Sequence, residues 1–120
     1  MANTPLPLTV QMIEKFTVVE FHGPSLMEQL QLEAITAELT RLVKEEDRRR
    51  IVLDFEKVTF ISSQAIGMLM LMNKLTKSMP HGQLVLCGVG PKLLELLKII
   101  RLDRLLTIKP SQREAVKVFV

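Results

Sequence analysis

The stretch IVLDFEKVTFISSQAIGMLM, residues 51–70, contains one complete strand-to-helix transition. Ile51 to Phe55 is almost wholly apolar, the pattern of a strand buried on both faces of a sheet and so near its centre. A short polar turn follows, and Ser62 and Ser63 then head an apolar run. Serine is a preferred helix N-cap because its oxygen satisfies an otherwise unpaired backbone amide. The pattern predicts a helix over 63–77, which Pro80 and Gly82 end. Its apolar residues, Ala65, Ile66, Met68, Leu69, Met70, Leu71, Met72 and Leu75, wrap much of the circumference. Such a helix must be covered on more than one side, and the cover can include a partner.

Upstream, Thr9–Ile13 and Thr17–Phe21 are β-prone runs separated by Glu14-Lys15, the pattern of an antiparallel pair. His22-Gly23-Pro24 ends the second run, and Ser25 stands three residues before Glu28 in the spacing of a capping box. A helix is expected from there to about Glu46, with Leu32, Ile35, Leu39 and Leu42 on one face. Downstream, Gln83–Val89 reads as a strand, Pro91 to about Ile100 as a helix with proline in its first turn, and Leu105–Ile108 as a last strand. Ser111 and Glu114 repeat the capping-box spacing ahead of a final helix. This alternation predicts an α/β domain: a single-layer mixed sheet, mostly parallel after an N-terminal hairpin, with about four helices. Residues 1–8 read as an N-terminal extension and 9–120 as one domain.

At 120 residues and 48% apolar side chains, the chain has material for one core and not for two. One cysteine, Cys87, and two histidines, His22 and His81, exclude an internal disulfide and a four-ligand Cys/His zinc site. The net charge of +3 conceals a division: residues 1–60 carry 7 Lys/Arg against 10 Asp/Glu, and residues 61–120 carry 9 against 3. The five phenylalanines fall mostly inside apolar runs and are not interleaved with basic residues, and KEEDRRR reads as a solvated helix end and turn. No nucleic-acid interface is therefore expected. The apolar stretches are too short to cross a bilayer, the N-terminus lacks the pattern of a signal peptide, and a lone thiol suits a reducing compartment. The expected location is the cytoplasm.

Residues 54–69 together with the order of elements resemble the STAS domain family, and within it the stand-alone anti-anti-sigma factors (anti-sigma factor antagonists). The resemblance runs from about Thr9 to Phe119. It includes the strand and turn ending in Phe60-Ile61, the segment Ser62-Ser63-Gln64-Ala65-Ile66-Gly67, the strand Gly82–Gly88 with its Leu-rich helix, and the turn Arg101–Leu106. In that family the helix head commonly reads Asp-Ser-Ser-Gly-Leu-Gly, and the first serine is phosphorylated by a partner anti-sigma factor, a serine kinase. Position by position, Ser63 takes the phosphoacceptor place, with Ser62 a minor contender. Ser62 replaces the aspartate, Gln64 the second serine and Ala65 the first glycine, while Ile66 and Gly67 keep the pattern.

The resemblance implies a protein partner, the anti-sigma factor kinase, bound through Ser62, Ser63, Gln64, Ile66 and Gly67, with Asp54 beneath the turn to orient it. It implies no enzyme activity and no cofactor, because ATP would belong to the kinase. Asp54 can also be read as a strand-end carboxylate facing solvent, and the serines as caps in a constitutive scaffold, stressosome-like or transporter-associated. Gly88-Val-Gly90-Pro91-Lys92 lacks the third glycine of a dinucleotide loop and reads as a turn. No nucleophilic pair, metal cluster or complete phosphate loop appears, and Cys87, His22 and His81 read as a small core residue and two surface or turn residues.

Overall fold

The computed structural model describes residues 8–13, 15–26 and 28–119. Residues 1–7 of the expected extension lie outside them, and Leu8 already belongs to the first strand. Strands β1 (Leu8–Ile13) and β2 (Phe16–Phe21) form the antiparallel hairpin, with Leu8 opposite Phe21 and Ile13 opposite Phe16. Strand β3 (Ser25–Leu26) and helix α1 (Gln29–Lys44) lead to strand β4 (Arg50–Asp54). Strand β5 (Phe60–Ile61), helix α2 (Ser63–Lys77), strand β6 (Gln83–Cys87) and helix α3 (Pro91–Ile99) follow. Strand β7 (Thr107–Lys109) and helix α4 (Gln112–Val116) complete the domain.

The main sheet has the order β1-β2-β4-β6-β7 and is parallel from β2 onward. β4 is its central strand, as its unbroken apolar run predicts. Strand order advances in one direction, so crossovers of the usual hand put α1, α2 and α3 on the same face. Ile51, Leu53 and Phe55 look toward that face and join Ile35, Leu39, Leu69, Met72 and Leu97 in the main core. Side chains alternate along a strand, so Val52 looks the other way. It meets Val18, Val85, Cys87 and Ala115 of α4 in a smaller second core.

Two expectations are corrected here. Ser25 does not cap α1: it pairs with Phe60 in the two-stranded sheet β3-β5, and Glu28 stands at the N-cap with no side-chain cap bond. The match to the capping-box spacing was local, whereas pairing with the loop after β4 is a tertiary contact that spacing does not reveal. The last strand begins at Thr107 and not at Leu105, because the amides of Leu105 and Leu106 both bond to the Leu102 carbonyl, at 3.0 and 2.9 Å, and close a 3-10 turn.

The triple arginine departs from a solvated run. Asp47 turns the chain with φ of 54°, and the arginines fold back onto backbone. Arg48 donates to Thr17 Oγ1 at 2.6 Å and to the carbonyls of Phe16, at 2.6 Å, and Ile13, tying down the hairpin. Arg49 and Arg50 donate to the carbonyls of Pro80 and His81, at 3.2 and 3.3 Å.

Candidate functional site

The two serines at the head of α2 have different tasks. Ser62 is the N-cap, with extended backbone (φ −91°, ψ 169°), and its Oγ accepts from Ala65 N at 3.2 Å. Such a cap contributes about 1 kcal/mol to helix stability. Ser63 is the first helical residue and is exposed, so its hydroxyl faces solvent. The first turn of α2 has no acidic residue, leaving the positive end of the helix dipole without a carboxylate.

The loop that delivers these serines is held from both sides. Phe55 and Val58 are buried beneath it, and Val58 N bonds to the Phe55 carbonyl at 2.9 Å. From above, the Pro24 carbonyl accepts from Thr59 N at 2.7 Å and Phe60 N at 3.2 Å, and the Leu26 carbonyl accepts from Ser62 N at 3.0 Å. The position of Ser63 is thus set by β4, by the segment after β2, and by the β3-β5 pairing that the sequence did not reveal.

From Ser63 an exposed stripe runs along α2 through Gln64, Gly67, Met70, Leu71 and Lys74. At about 100° per residue these positions share one face of the helix, opposite the buried Ala65, Met68, Leu69, Met72 and Thr76. Ile66 is half-buried at the stripe's flank. Met70 and Leu71 are the apolar residues of α2 that the fold leaves uncovered, 45% and 50% exposed. Sequence reading left both out of the site, although their spacing of seven and eight residues from Ser63 was the available signal. Gly67 and Leu71 also line a shallow groove between α1 and α2 together with Glu33, Thr36, Ala37 and Gln64.

Asp54 occupies a different place. It is buried, not solvent-facing, and shares the strand face of Val52, so its side chain lies beneath α4 and on the opposite side of the sheet from α2. Its Oδ1 accepts from Glu56 N at 2.9 Å, which fixes the start of the turn, and its Oδ2 accepts from Gln112 Nε2 at 2.6 Å. The same Gln112 amide reaches Glu20 Oε2 at 3.3 Å, on the neighbouring strand and in register with Asp54. Gly88, with φ of +66°, makes room for the carboxylate: a Cβ there would stand 2.8 Å from Asp54 Oδ1. Asp54 is thus not brought alongside Ser62, Ser63, Gln64, Ile66 and Gly67; it positions the turn from behind.

The remaining candidates lie apart from the α2 face. Cys87 is buried, and desolvation, reinforced by the charges of Asp54, Glu56 and Glu20, pushes its thiol up to about 12, far from a reactive thiolate. His22 meets Thr9 Oγ1 at 2.6 Å, and His81 sits exposed in a turn with φ of 61°. Gly90 is the N-cap of α3, with Pro91 in its first turn. Among the described residues no group of three His, Cys, Asp or Glu side chains is placed to hold a metal ion, and no helix is long and apolar enough to cross a membrane.

Comparison with known proteins gives a match to the STAS domain family model over residues 8–115. Among solved structures, a STAS-domain anti-sigma-factor antagonist protein from Planctomyces limnophilus is 23% identical with a TM-score of 0.79, covering 94% of this chain and 97% of that one. The Bacillus cell fate determinant SpoIIAA in its phosphorylated form is 17% identical at TM-score 0.73, covering 94% and 99%. A substituted RsbS from Moorella thermoacetica is 16% identical at TM-score 0.71, covering 92% of each chain.

Proposed function

The chain belongs to the STAS domain family, and from that membership we propose that it is a protein-binding switch of the anti-sigma factor antagonist type and not an enzyme. Its partner is an anti-sigma factor serine kinase, which docks on the face of α2 running from Ser63 through Gln64, Gly67, Met70 and Leu71, with Ile66 at the flank. Ser62 shapes the helix head, and Asp54 holds the turn behind it. The unphosphorylated form binds. Transfer of the γ-phosphoryl group from the kinase's ATP to Ser63 Oγ, with ADP leaving, ends binding. A phosphate brings nearly two negative charges and three strong acceptors to a surface whose neighbours are apolar or uncharged. At the first helical position it is welcomed by the helix dipole, so the modified domain stays folded while the docking face is lost.

The observation that carries this reading is the division between the serines: Ser62 is committed to the cap, while Ser63 is exposed beside it. The test begins with co-purification of partners from the native cell and phosphosite mapping, then measures binding of that partner to Ser63→Ala and Ser63→Asp. Ser63→Ala should bind as the parent does, and Ser63→Asp should bind roughly 100-fold more weakly, a loss of the size expected for a charge buried without a counter-charge. A stable complex indifferent to Ser63→Asp would show instead a constitutive scaffold whose serines are only caps.

Gly67 supports the docking face independently. Glycine inside a helix costs about 1 kcal/mol relative to alanine, yet a Cβ at Gly67 would meet nothing within 4 Å. The fold has no use for the missing methyl; a closely approaching partner does. Gly67→Ala should therefore raise stability by about 1 kcal/mol in denaturant titration while weakening the complex about tenfold.

A further inference from the structure

At the opposite end of the sheet from Ser63, the chain gathers cationic groups around an open pocket of about 280 Å³. Lys15, Arg48, Arg49, Arg50 and His81 line it, and Asp47 is the one carboxylate among the described lining residues. We infer that this pocket binds a small phosphate-bearing anion, of the size of a diphosphate, and forms a second site that is independent of the α2 face.

Three features of the pocket point to that ligand. Among the described residues its charge is largely uncompensated: Asp47 Oδ1 is engaged by Arg49 at 2.9 Å, while Arg48 and Arg50 bond there to a hydroxyl and carbonyls, which leave a guanidinium its full charge. The donors are also preorganised. Arg48 is fixed to the hairpin through Nε and Nη2, with Nη1 outside those bonds, and Arg50 is anchored through Nε to the His81 carbonyl at 3.3 Å, with its two Nη groups outside that bond, so binding freezes little side-chain freedom. Finally, several guanidinium groups at one opening match an anion with several tetrahedral oxygens better than a single carboxylate. The volume is that of a compact anion with its waters.

The structure-building role of the arginines explains their backbone bonds but not the accumulation of Lys15 and His81 at the same opening. The pocket is built where β2, β4 and β6 begin, since Arg50 opens β4 and pairs with Gln83, the first residue of β6. Ser63 follows the turn that leaves the other end of β4, so occupancy at one end presents no steric conflict with docking at the other.

The test titrates the full chain with pyrophosphate at low ionic strength, following amide and His81 ring resonances by NMR and heat by calorimetry. Saturable binding with a Kd of about 1 mM or tighter is expected, weakened by added salt. Lys15→Gln with Arg50→Gln in one variant should weaken it at least about tenfold. Lys98→Gln with Arg104→Gln, which removes the same charge elsewhere, should leave it unchanged. Thermal unfolding of both variants checks that each is folded; if the first is not, Lys15→Gln alone replaces it. No saturable shift, or equal losses in both double variants, overturns the inference. Binding to phosphatidylglycerol vesicles without binding to pyrophosphate overturns it as well, in favour of a membrane headgroup surface.

Discussion

Replacing Phe55 by alanine should lower the free energy of unfolding by about 4 kcal/mol, a large share of what a domain of this size possesses. Phe55 is fully buried and packs against Phe21, with ring centroids 5.1 Å apart and planes tilted by 56°. It directly follows β4, and both its backbone groups are used: its N bonds to the Cys87 carbonyl and its carbonyl accepts from Val58, each at 2.9 Å. Truncation removes the ring contacts and leaves a cavity between the strand end and the helices that cannot collapse without moving the turn. Urea denaturation followed by circular dichroism reads the loss directly, and the midpoint of thermal unfolding should fall by roughly 15 °C. Phe60→Ala, five residues along and 55% exposed, is the internal comparison. It should stay within about 0.5 kcal/mol of the parent. A loss below about 2 kcal/mol for Phe55→Ala would contradict the packing described for this turn.

Gly23→Ala should cost roughly 3 kcal/mol or more, for reasons of backbone and not of core volume. Gly23 has φ of +56°, a left-handed conformation in which a Cβ is strained, and that Cβ would stand 2.0 Å from the Lys57 carbonyl oxygen and 2.6 Å from its carbon. The two backbones cannot separate cheaply. Pro24, the next residue, accepts from Thr59 and Phe60, and Leu26 accepts from Ser62, so moving the Gly23 segment drags the helix head with it. Denaturant titration should show the destabilisation, and partner binding should fall even in conditions where the variant is folded. Gly90→Ala provides the contrast: at φ of −71° with nothing within 4 Å of its Cβ, it should change stability by less than about 1 kcal/mol. Equal effects at both positions would remove the argument.

Much of this architecture could be read from the amino-acid pattern because local and tertiary preferences agree there. Helix α2 begins and ends where its serine cap and the Pro80-Gly82 break place it, and β4 is central as an unbroken apolar strand must be. What escaped reading has a common physical origin in contacts between distant segments. Two-residue strands such as Ser25–Leu26 and Phe60–Ile61 have no periodicity, and only their pairing defines them. Asp54 could be placed at the strand end, but whether its face of the sheet is covered or open to solvent depends on where α4 returns, 58 residues later. The apolar circumference of α2 called for cover on more than one side, but nothing in the sequence says that α1 and the sheet take the other side and leave Met70 and Leu71 exposed. The arginine run read as solvated because its acceptors are carbonyls, which no side-chain pattern displays.

The second core, under α4, is small, and α4 itself has five residues. Even with the turn Lys117–Phe119 that continues it and packs Phe119 on Phe16, this cover is smaller than the three helices on the other face, and it is expected to open locally before the domain unfolds. The chain's single thiol lies beneath it, buried on β6. Alkylation of Cys87 in the native protein should therefore proceed at a rate set by the population in which α4 is lifted, and that rate measures how tightly α4 is latched to the Glu20-Asp54 pair.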